Sequence, residues 1–163
     1  MSANSRLTLA VHTLTWMAQY RDEYEFATSE RIARSVQTNP VVLRGLLGMM
    51  EKQHLVNVQR GSNAGWQLAR NPAEITLLDV YHAVEQPTLF AMHHTQPNPR
   101  CIIGCGIGPA LGDIYANAQS ALEQELARTT IADLLRATLA CSAAIRRQVN
   151  AAQTAPPLES SQT

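Results

Sequence analysis

The sequence predicts a mainly α-helical protein with a small antiparallel β-hairpin wing, arranged as a winged helix-turn-helix followed by a long dimerisation helix. Three patterns predict this fold class. Residues 28–52 have the pattern of two short helices separated by a polar break, and residues 55–69 have that of a hairpin. Residues 110–128 repeat apolar side chains at helical intervals of three and four.

The N-terminal segment, residues 5–20, places apolar side chains on one face at helical spacing and predicts a first helix. After a charged connection, Thr28 or Ser29 can cap a short second helix with the sequence ERIARSV, because a side-chain oxygen accepts an unpaired N–H group of the first turn. Ile32 and Val36 lie on its apolar face. We expect this helix to be the first of a helix-turn-helix pair.

The third helix has a strong start signal. Asn39 is a preferred N-cap residue, and Pro40 suits the first helical position because its missing N–H would be unpaired there anyway. An inward apolar stripe is formed by Leu43, Leu46, Leu47 and Met50. The opposite face carries small, short or basic residues, namely Val41, Arg44, Gly45, Gly48 and Lys52. Such a face suits a recognition helix, since base edges must approach it closely.

A hairpin follows the third helix. Residues 55–59 alternate apolar and polar side chains, and Trp66 and Leu68 return on a second predicted strand. Residues 60–65 between them have the glycine and asparagine content of a turn. Directly behind a helix-turn-helix, this hairpin is interpreted as a wing, with Arg60 placed to reach a minor groove or phosphates.

Two Thr-x-x-Asp patterns predict helix starts in the second half of the chain, because a threonine and an acidic residue three positions later can cap each other's N–H groups. The patterns are Thr76 with Asp79, opening a helix over residues 76–85, and Thr130 with Asp133, opening one over residues 131–149.

The segment between these helices divides into two parts. The prolines and glycines of residues 90–109 are expected to exclude a long helix there. The helix over residues 110–128 is too long and too one-sided to be covered by this small chain alone, which indicates a partner helix from a second copy.

The predicted elements divide the chain into four regions. Residues 1–86 form a winged helix-turn-helix DNA-binding domain, residues 87–109 an effector or sensor loop, residues 110–150 the dimerisation helices, and residues 151–163 a disordered tail.

Composition excludes several classes of protein. The 163 residues include 13 basic and 13 acidic side chains, so bulk charge does not indicate nucleic-acid binding. We find no apolar run long enough to span a membrane and no signal-peptide pattern. The three cysteines fit a reducing cytoplasm better than a disulfide framework. The chain also lacks paired carboxylates, a nucleophile–base set and a complete metal motif, so we predict that it is not an enzyme.

Taken together, these motifs resemble the Rrf-two family of bacterial winged-helix transcription regulators, and in particular its YwnA-like members. The resemblance runs from about residue 5 to residue 139. It is carried by SRLTLAVHTL, NPVVLRGLL, RGSNAGWQLAR, NPAEITLLDVYHAV, PNPRCIIG before the long helix, and TTIADLL.

The resemblance implies a homodimeric, sequence-specific DNA-binding regulator, in the first instance a repressor. The long helix would cross to the partner subunit, and the recognition helices would enter successive major grooves of a near-palindromic double-stranded operator. Its DNA contacts would be Ser29 and Thr38 on phosphates, Val41 and Arg44 facing bases, and Arg60 and Gly61 in the wing. A winged-helix protein-interaction module without DNA binding is the alternative function.

The cysteines depart from the pattern of the iron–sulfur members, which carry three close together before the long helix. Here that loop has Cys101 and Cys105, while Cys141 lies on the last helix. We consider three roles: a thiol redox switch formed by Cys101 and Cys105 if Gly104 turns the chain, a metal or iron–sulfur site of Cys101 and Cys105 with His93 or His94, and simple packing. No cofactor is assigned.

Overall fold

The computed structural model describes residues 3–84, 90–92, 94–95 and 97–154. The described residues form a mainly helical fold with one small antiparallel sheet, so the predicted fold class is confirmed. In chain order the elements are α1 (Ala3–Gln19), α2 (Ser29–Val36), α3 (Pro40–Lys52), β1 (Val56–Gln59), β2 (Gly65–Leu68), a 3-10 helix (Pro72–Glu74), α4 (Leu77–Val84), α5 (Ile102–Ala127) and α6 (Ile131–Thr154).

Both helices of the helix-turn-helix begin at the predicted cap residues. Thr28 caps α2 by accepting a hydrogen bond from the N–H of Arg31 at 3.3 Å. Gln37 ends α2 in the left-handed conformation, with φ of 55°. Asn39 then caps α3 by accepting the N–H of Val41 at 2.8 Å. These local bonds fix the sharp turn that separates the two helices.

The buried face of α3 is the predicted one. Its four apolar side chains are all buried, in a core that also contains side chains of α1, α2, β1, α4 and the start of α6. The members at this centre are Leu14, Ile32, Leu43, Leu46, Leu47, Met50, Val56, Val80 and Ile131. The opposite face of α3 is therefore left on the surface.

The wing is attached to the start of α2. The sheet pairs β1 with β2 antiparallel, in the register Val56–Leu68, Asn57–Gln67, Val58–Trp66 and Gln59–Gly65. Trp66 also exchanges two backbone hydrogen bonds with Ala27, each 2.9 Å long. Gly65 permits this approach, because a Cβ at that position would lie 2.8 Å from the Cβ of Phe26.

Both predicted capping boxes are present. The Asp79 carboxylate accepts the N–H and the hydroxyl of Thr76, each at 2.9 Å, and the N–H of Asp79 donates to the Thr76 hydroxyl at 3.1 Å. Asp133 and Thr130 repeat the arrangement at the start of α6, with backbone bonds of 3.0 and 3.1 Å. Each pair satisfies N–H groups that a first helical turn leaves unpaired.

These two helix starts lie side by side and join the C-terminal helices to the rest of the fold. The N–H of Leu77 donates to the carbonyl of Thr129, and that of Ile131 donates to the carbonyl of Ile75, both at 2.9 Å. Ile75 and Ile131 are completely buried. The junction between the N-terminal elements and α6 is thus both hydrogen-bonded and apolar.

The expectation that residues 90–109 exclude a long helix is wrong, because α5 begins at Ile102. Pro109 lies inside the helix, which continues past it although the proline cannot donate a hydrogen bond to the carbonyl of Cys105. Ile103, Ile107 and Ile114 continue the helical apolar spacing across the proline. The predicted boundary between residues 109 and 110 therefore falls within a helix.

The C-terminal end also differs from the prediction. Helix α6 runs to Thr154, five residues beyond the expected end, so disorder from residue 151 is wrong for residues 151–154. The rest of the predicted tail lies outside the described residues. Within the described part of the chain, none of the helices combines the length and hydropathy needed to cross a membrane.

The capping box of α6 leads to a pH-dependent prediction. The pKa of Asp133 is lowered, first by the hydrogen bonds from Thr130 and then by Arg136. A carboxyl whose folded pKa is depressed contributes stability above its unfolded pKa, and this contribution is lost as pH falls through the folded pKa. Asp133→Asn should therefore lower the melting temperature at pH 7, and the difference from the unmodified protein should shrink below about pH 4.

Melts followed by circular dichroism at pH 7, 5 and 3 measure this difference. The matched control is Asp113→Asn, at an exposed position of α5 outside any capping box. A destabilisation by Asp133→Asn that is the same at all three pH values would contradict the assigned role of the carboxylate.

Candidate nucleic-acid interface

The outward face of α3 is exposed and carries few large side chains. Val41, in the first turn, is 66% exposed, and Arg44 follows one turn later. At Gly45 and Gly48 a Cβ would meet nothing within 4 Å, so packing within the described protein does not require glycine at either position. Because both glycines lack a side chain, a binding partner could approach the backbone of α3 closely on this face.

An open cleft of about 400 Å³ lies between this face, the start of α2 and the wing. Four residues that the sequence analysis assigned to DNA contact line it together, namely Ser29, Arg44, Arg60 and Gly61. They come from three separate elements, so their meeting is a product of the tertiary fold. Two arginines from α3 and from the wing therefore face one shared space.

The hairpin tip shows why Gly61 is needed beside Arg60. Gly61 has φ of +105°, a conformation that side chains strongly disfavour, and its carbonyl accepts the N–H of Ala64 at 3.2 Å to close the turn. Arg60 itself is exposed at the end of β1. The turn thus holds a guanidinium at the edge of the cleft.

The remaining two predicted contacts, Thr38 and Val41, are not part of this cleft. Thr38 lies in the turn between α2 and α3, where its N–H donates to the carbonyl of Ala33 at 3.0 Å. Val41 begins the exposed face of α3. Both lie near the N-terminal end of α3, which is the end a recognition helix commonly presents to base edges.

Arg44 is anchored by two residues of α2. Its Nη1 donates to a carboxylate oxygen of Glu30 at 2.9 Å and to the hydroxyl of Ser29 at 3.3 Å. The Ser29 hydroxyl in turn donates to the other Glu30 oxygen at 3.3 Å. Ser29 is 6% exposed, so it supports Arg44 from beneath.

Glu30 was not among the residues proposed from sequence. Its own backbone N–H lowers its pKa most, and the Ser29 hydroxyl and Arg44 lower it further against the opposing effect of burial. The carboxylate is therefore ionised at neutral pH. It places one negative charge in a cleft that is also lined by Arg44 and Arg60.

The cysteine pair lies at the start of α5. Cys101 is the N-cap residue and Cys105 ends the first turn, its N–H donating to the carbonyl of Cys101 at 3.0 Å. Both thiols are free and exposed, as is that of Cys141. Gly104 is helical and does not turn the chain as supposed. It is needed because a Cβ there would lie 2.5 Å from the carbonyl oxygen of Asn98.

The described residues do not bring together a set of metal ligands around the two thiols. Among the described residues, no three His, Cys, Asp or Glu side chains come close enough together to hold a metal ion. His94 lines a separate cavity of about 310 Å³ with Met92, Ile107 and Leu111, and neither thiol of the pair belongs to its described wall. His93 lies outside the described residues, so that part of the metal hypothesis remains a prediction.

Comparison with known proteins identifies the family. Residues 3–137 match the Rrf2 family model, described as an iron-dependent transcriptional regulator. YwnA of Bacillus subtilis (strain 168), described as an HTH-type transcriptional regulator, is 40% identical over 133 residues, which cover 81% of this chain and 96% of YwnA.

Two solved structures share the architecture. One, described as a DNA-binding protein, is 33% identical with a TM-score of 0.64, covering 80% of this chain and 98% of its own. IscR of T. potens is 20% identical with a TM-score of 0.63, covering 85% of this chain and 88% of its own, and supports the fold alone. From the family match and the identity to YwnA, the chain belongs to the Rrf2 family of winged helix-turn-helix transcriptional regulators.

Proposed function

We propose that this protein is a cytoplasmic, homodimeric repressor that binds a near-palindromic double-stranded DNA operator through α3 and the wing, and that it is not an enzyme. The observation that carries the proposal is the cleft in which Arg44 of α3 and Arg60 of the wing meet. An α-helix fits the major groove, and a wing beside it can follow the adjacent backbone or minor groove.

Each predicted contact has a distinct role in this proposal. Arg44 and Val41 read base edges, since a guanidinium pairs with guanine and an apolar side chain contacts the thymine methyl group. Arg60 binds phosphates or the minor groove, with Gly61 holding the turn. Thr38 and Ser29 contact phosphates. The Ser29 hydroxyl also accepts a hydrogen bond from Arg44 and so supports that residue.

The homodimer is supported by the apolar surface of the C-terminal helices. None of the residues of α5 is fully buried in the single chain, although the helix is 26 residues long. Large apolar side chains remain exposed on α5 and α6, namely Ile102, Ile103, Ile107, Ile114, Leu139 and Ile145. Large apolar side chains left exposed in this number indicate an interaction surface. We assign it to a second copy, whose recognition helix would reach a second half-site of the operator.

The DNA interface is tested by replacing its two arginines. Arg60→Ala should weaken binding to every duplex and lower the salt dependence by about one counterion, because a phosphate contact is lost. Arg44→Ala should relax preference at one base step at a cost of about 1–3 kcal/mol. Fluorescence anisotropy on duplexes selected from a random-sequence library, measured at several salt concentrations, provides both values.

The matched control is Arg128→Ala, which removes an exposed arginine that pairs with Glu125 at the end of α5. It should leave binding unchanged. If both cleft variants bind like the unmodified protein, this surface is not the DNA interface. Binding of the unmodified protein that does not weaken with salt would favour the alternative of a protein-interaction module.

The dimer is tested at Ile114, which is 59% exposed in the single chain. Ile114→Asp should produce a monomer, because the buried carboxylate would lack a partner in an apolar interface. Light scattering after size exclusion measures the mass. Loss of the second half-site should weaken operator binding by on the order of 100-fold or more. Ser120→Asp, on another face of α5, is the control, and an Ile114→Asp protein that stays dimeric would contradict the proposal.

We also propose that Cys101 and Cys105 form a redox switch. Oxidation by a two-electron acceptor would remove one hydrogen from each thiol and join the two sulfurs. Residues four apart on a helix have Cβ atoms about 5–6 Å apart, whereas a disulfide needs about 3.5–4.5 Å. The first turn of α5 would therefore have to unwind. Pro109 and the nearby glycines favour this, because they weaken the helix there.

Diamide, which accepts the two hydrogens, tests the switch. Mapping under non-reducing conditions should find a Cys101–Cys105 bond, and operator affinity should change and recover with dithiothreitol. Cys105→Ser should abolish the response, whereas Cys141→Ser should retain it. Equal affinity of the oxidised and reduced proteins would show that the thiols do not control DNA binding.

A further inference from the structure

The contacts of Arg44 use only one corner of its guanidinium group. Both hydrogen bonds, to Glu30 and to Ser29, come from Nη1. Among the described residues, neither Nε nor Nη2 donates a hydrogen bond. A guanidinium is a rigid planar fork, so fixing Nη1 also fixes the direction of the Nε–Nη2 edge.

This free edge has the donor pattern that guanine accepts. Two parallel N–H groups match the O6 and N7 acceptors of guanine in the major groove. Because α2 holds Nη1 from one side, Arg44 does not need to release its protein contacts in order to present Nε and Nη2 to a base. The ion pair is therefore compatible with base reading.

The same ion pair weakens the attraction of Arg44 for phosphates. The side chains of Arg44 and Glu30 are 48% and 58% exposed, so both lie where a DNA backbone would approach. Glu30 partly neutralises the guanidinium, so Arg44 attracts phosphate oxygens less strongly. Phosphate contacts carry no sequence information, so a residue that discourages them favours base contacts.

We propose that Glu30 is a specificity-determining positioning residue: it orients Arg44 toward a guanine and lowers the affinity of the cleft for DNA of unrelated sequence. This inference rests on the proposed DNA-binding function and deepens it. Glu30 acts through Arg44 and is not itself expected to touch a base.

The test is Glu30→Gln, which keeps the size of the side chain and removes its charge. The probes are a duplex selected from a random-sequence library by the unmodified protein and a scrambled duplex of the same length. Glu30→Gln should bind the scrambled duplex about threefold or more tightly, and its ratio of selected to scrambled affinity should fall about tenfold, the size of one lost bidentate contact. A repeated selection with the variant should lose preference at one base pair per half-site.

A double-mutant cycle separates positioning from simple charge repulsion. In an Arg44→Ala background, Glu30→Gln should leave the affinity ratio unchanged, because the residue it positions is absent. A repulsion that does not involve Arg44 would lower the ratio equally in both backgrounds, and that result would overturn the proposal. Thermal melts without DNA verify that both variants fold.

Two further results are decisive. Glu74→Gln, an exposed carboxylate in the 3-10 helix that precedes α4, makes the same charge change and should leave the ratio unchanged. If it lowers the ratio as Glu30→Gln does, the effect is one of net charge and the proposal is wrong. If the unmodified protein fails to distinguish selected from scrambled duplex, the proposed function itself fails. If it distinguishes them and Glu30→Gln does so with an unchanged affinity ratio, only the role of Glu30 fails.

Discussion

The inward burial of one face of α3 is the constraint from which the rest of the surface follows. Leu43, Leu46, Leu47 and Met50 are all buried, and burying such side chains contributes about 1.5–3 kcal/mol each, or roughly 6–12 kcal/mol together. The two glycines of the helix cost about 2 kcal/mol at most. Burial therefore determines how the helix is rotated, and the exposure of Val41 and Arg44 is its consequence.

The cleft needs a second constraint, because α3 alone does not bring an arginine of the wing near Arg44. Backbone pairing of Ala27 with Trp66 attaches β2 to the residue that precedes the α2 cap. Gly65 is required for that pairing, since Phe26 fills the space of its missing side chain. The distance between wing and recognition helix is thus fixed by main-chain bonds, which few side-chain substitutions would alter.

Local patterns explain what could be predicted from the sequence. The caps at Thr28, Asn39, Thr76 and Thr130 and the apolar stripe of α3 depend on residues within one or two helical turns, and the structure contains all of them. The predicted start of α5 is wrong because Pro109 and its neighbouring glycines have low helix propensity and were taken to prevent a helix. The apolar spacing that continues across them indicates the helix that the structure contains.

The features of the site that could not be predicted from the sequence are contacts between residues far apart in the chain. Glu30 and Arg44 are 14 residues apart, and Ala27 and Trp66 are 39 apart, so no spacing rule connects them. Ser29, Arg44, Arg60 and Gly61 were named from sequence, and their DNA contacts remain predictions. What the fold adds is their meeting in one cleft, together with an acidic residue that sequence patterns gave no reason to include.

The C-terminal helices show how a change at the thiols would reach the DNA-binding domain. Helix α5 is about 39 Å long at 1.5 Å per residue, with Cys101 at one end and the Thr129–Leu77 hydrogen bond just beyond the other. The intervening part after Pro109 is regular helix, which transmits a displacement instead of absorbing it. If the first turn unwinds on oxidation as we propose, the change acts through the position of α5 in the dimer. The buried core around α3 would stay intact, so the spacing of the two recognition helices would change while each remained folded.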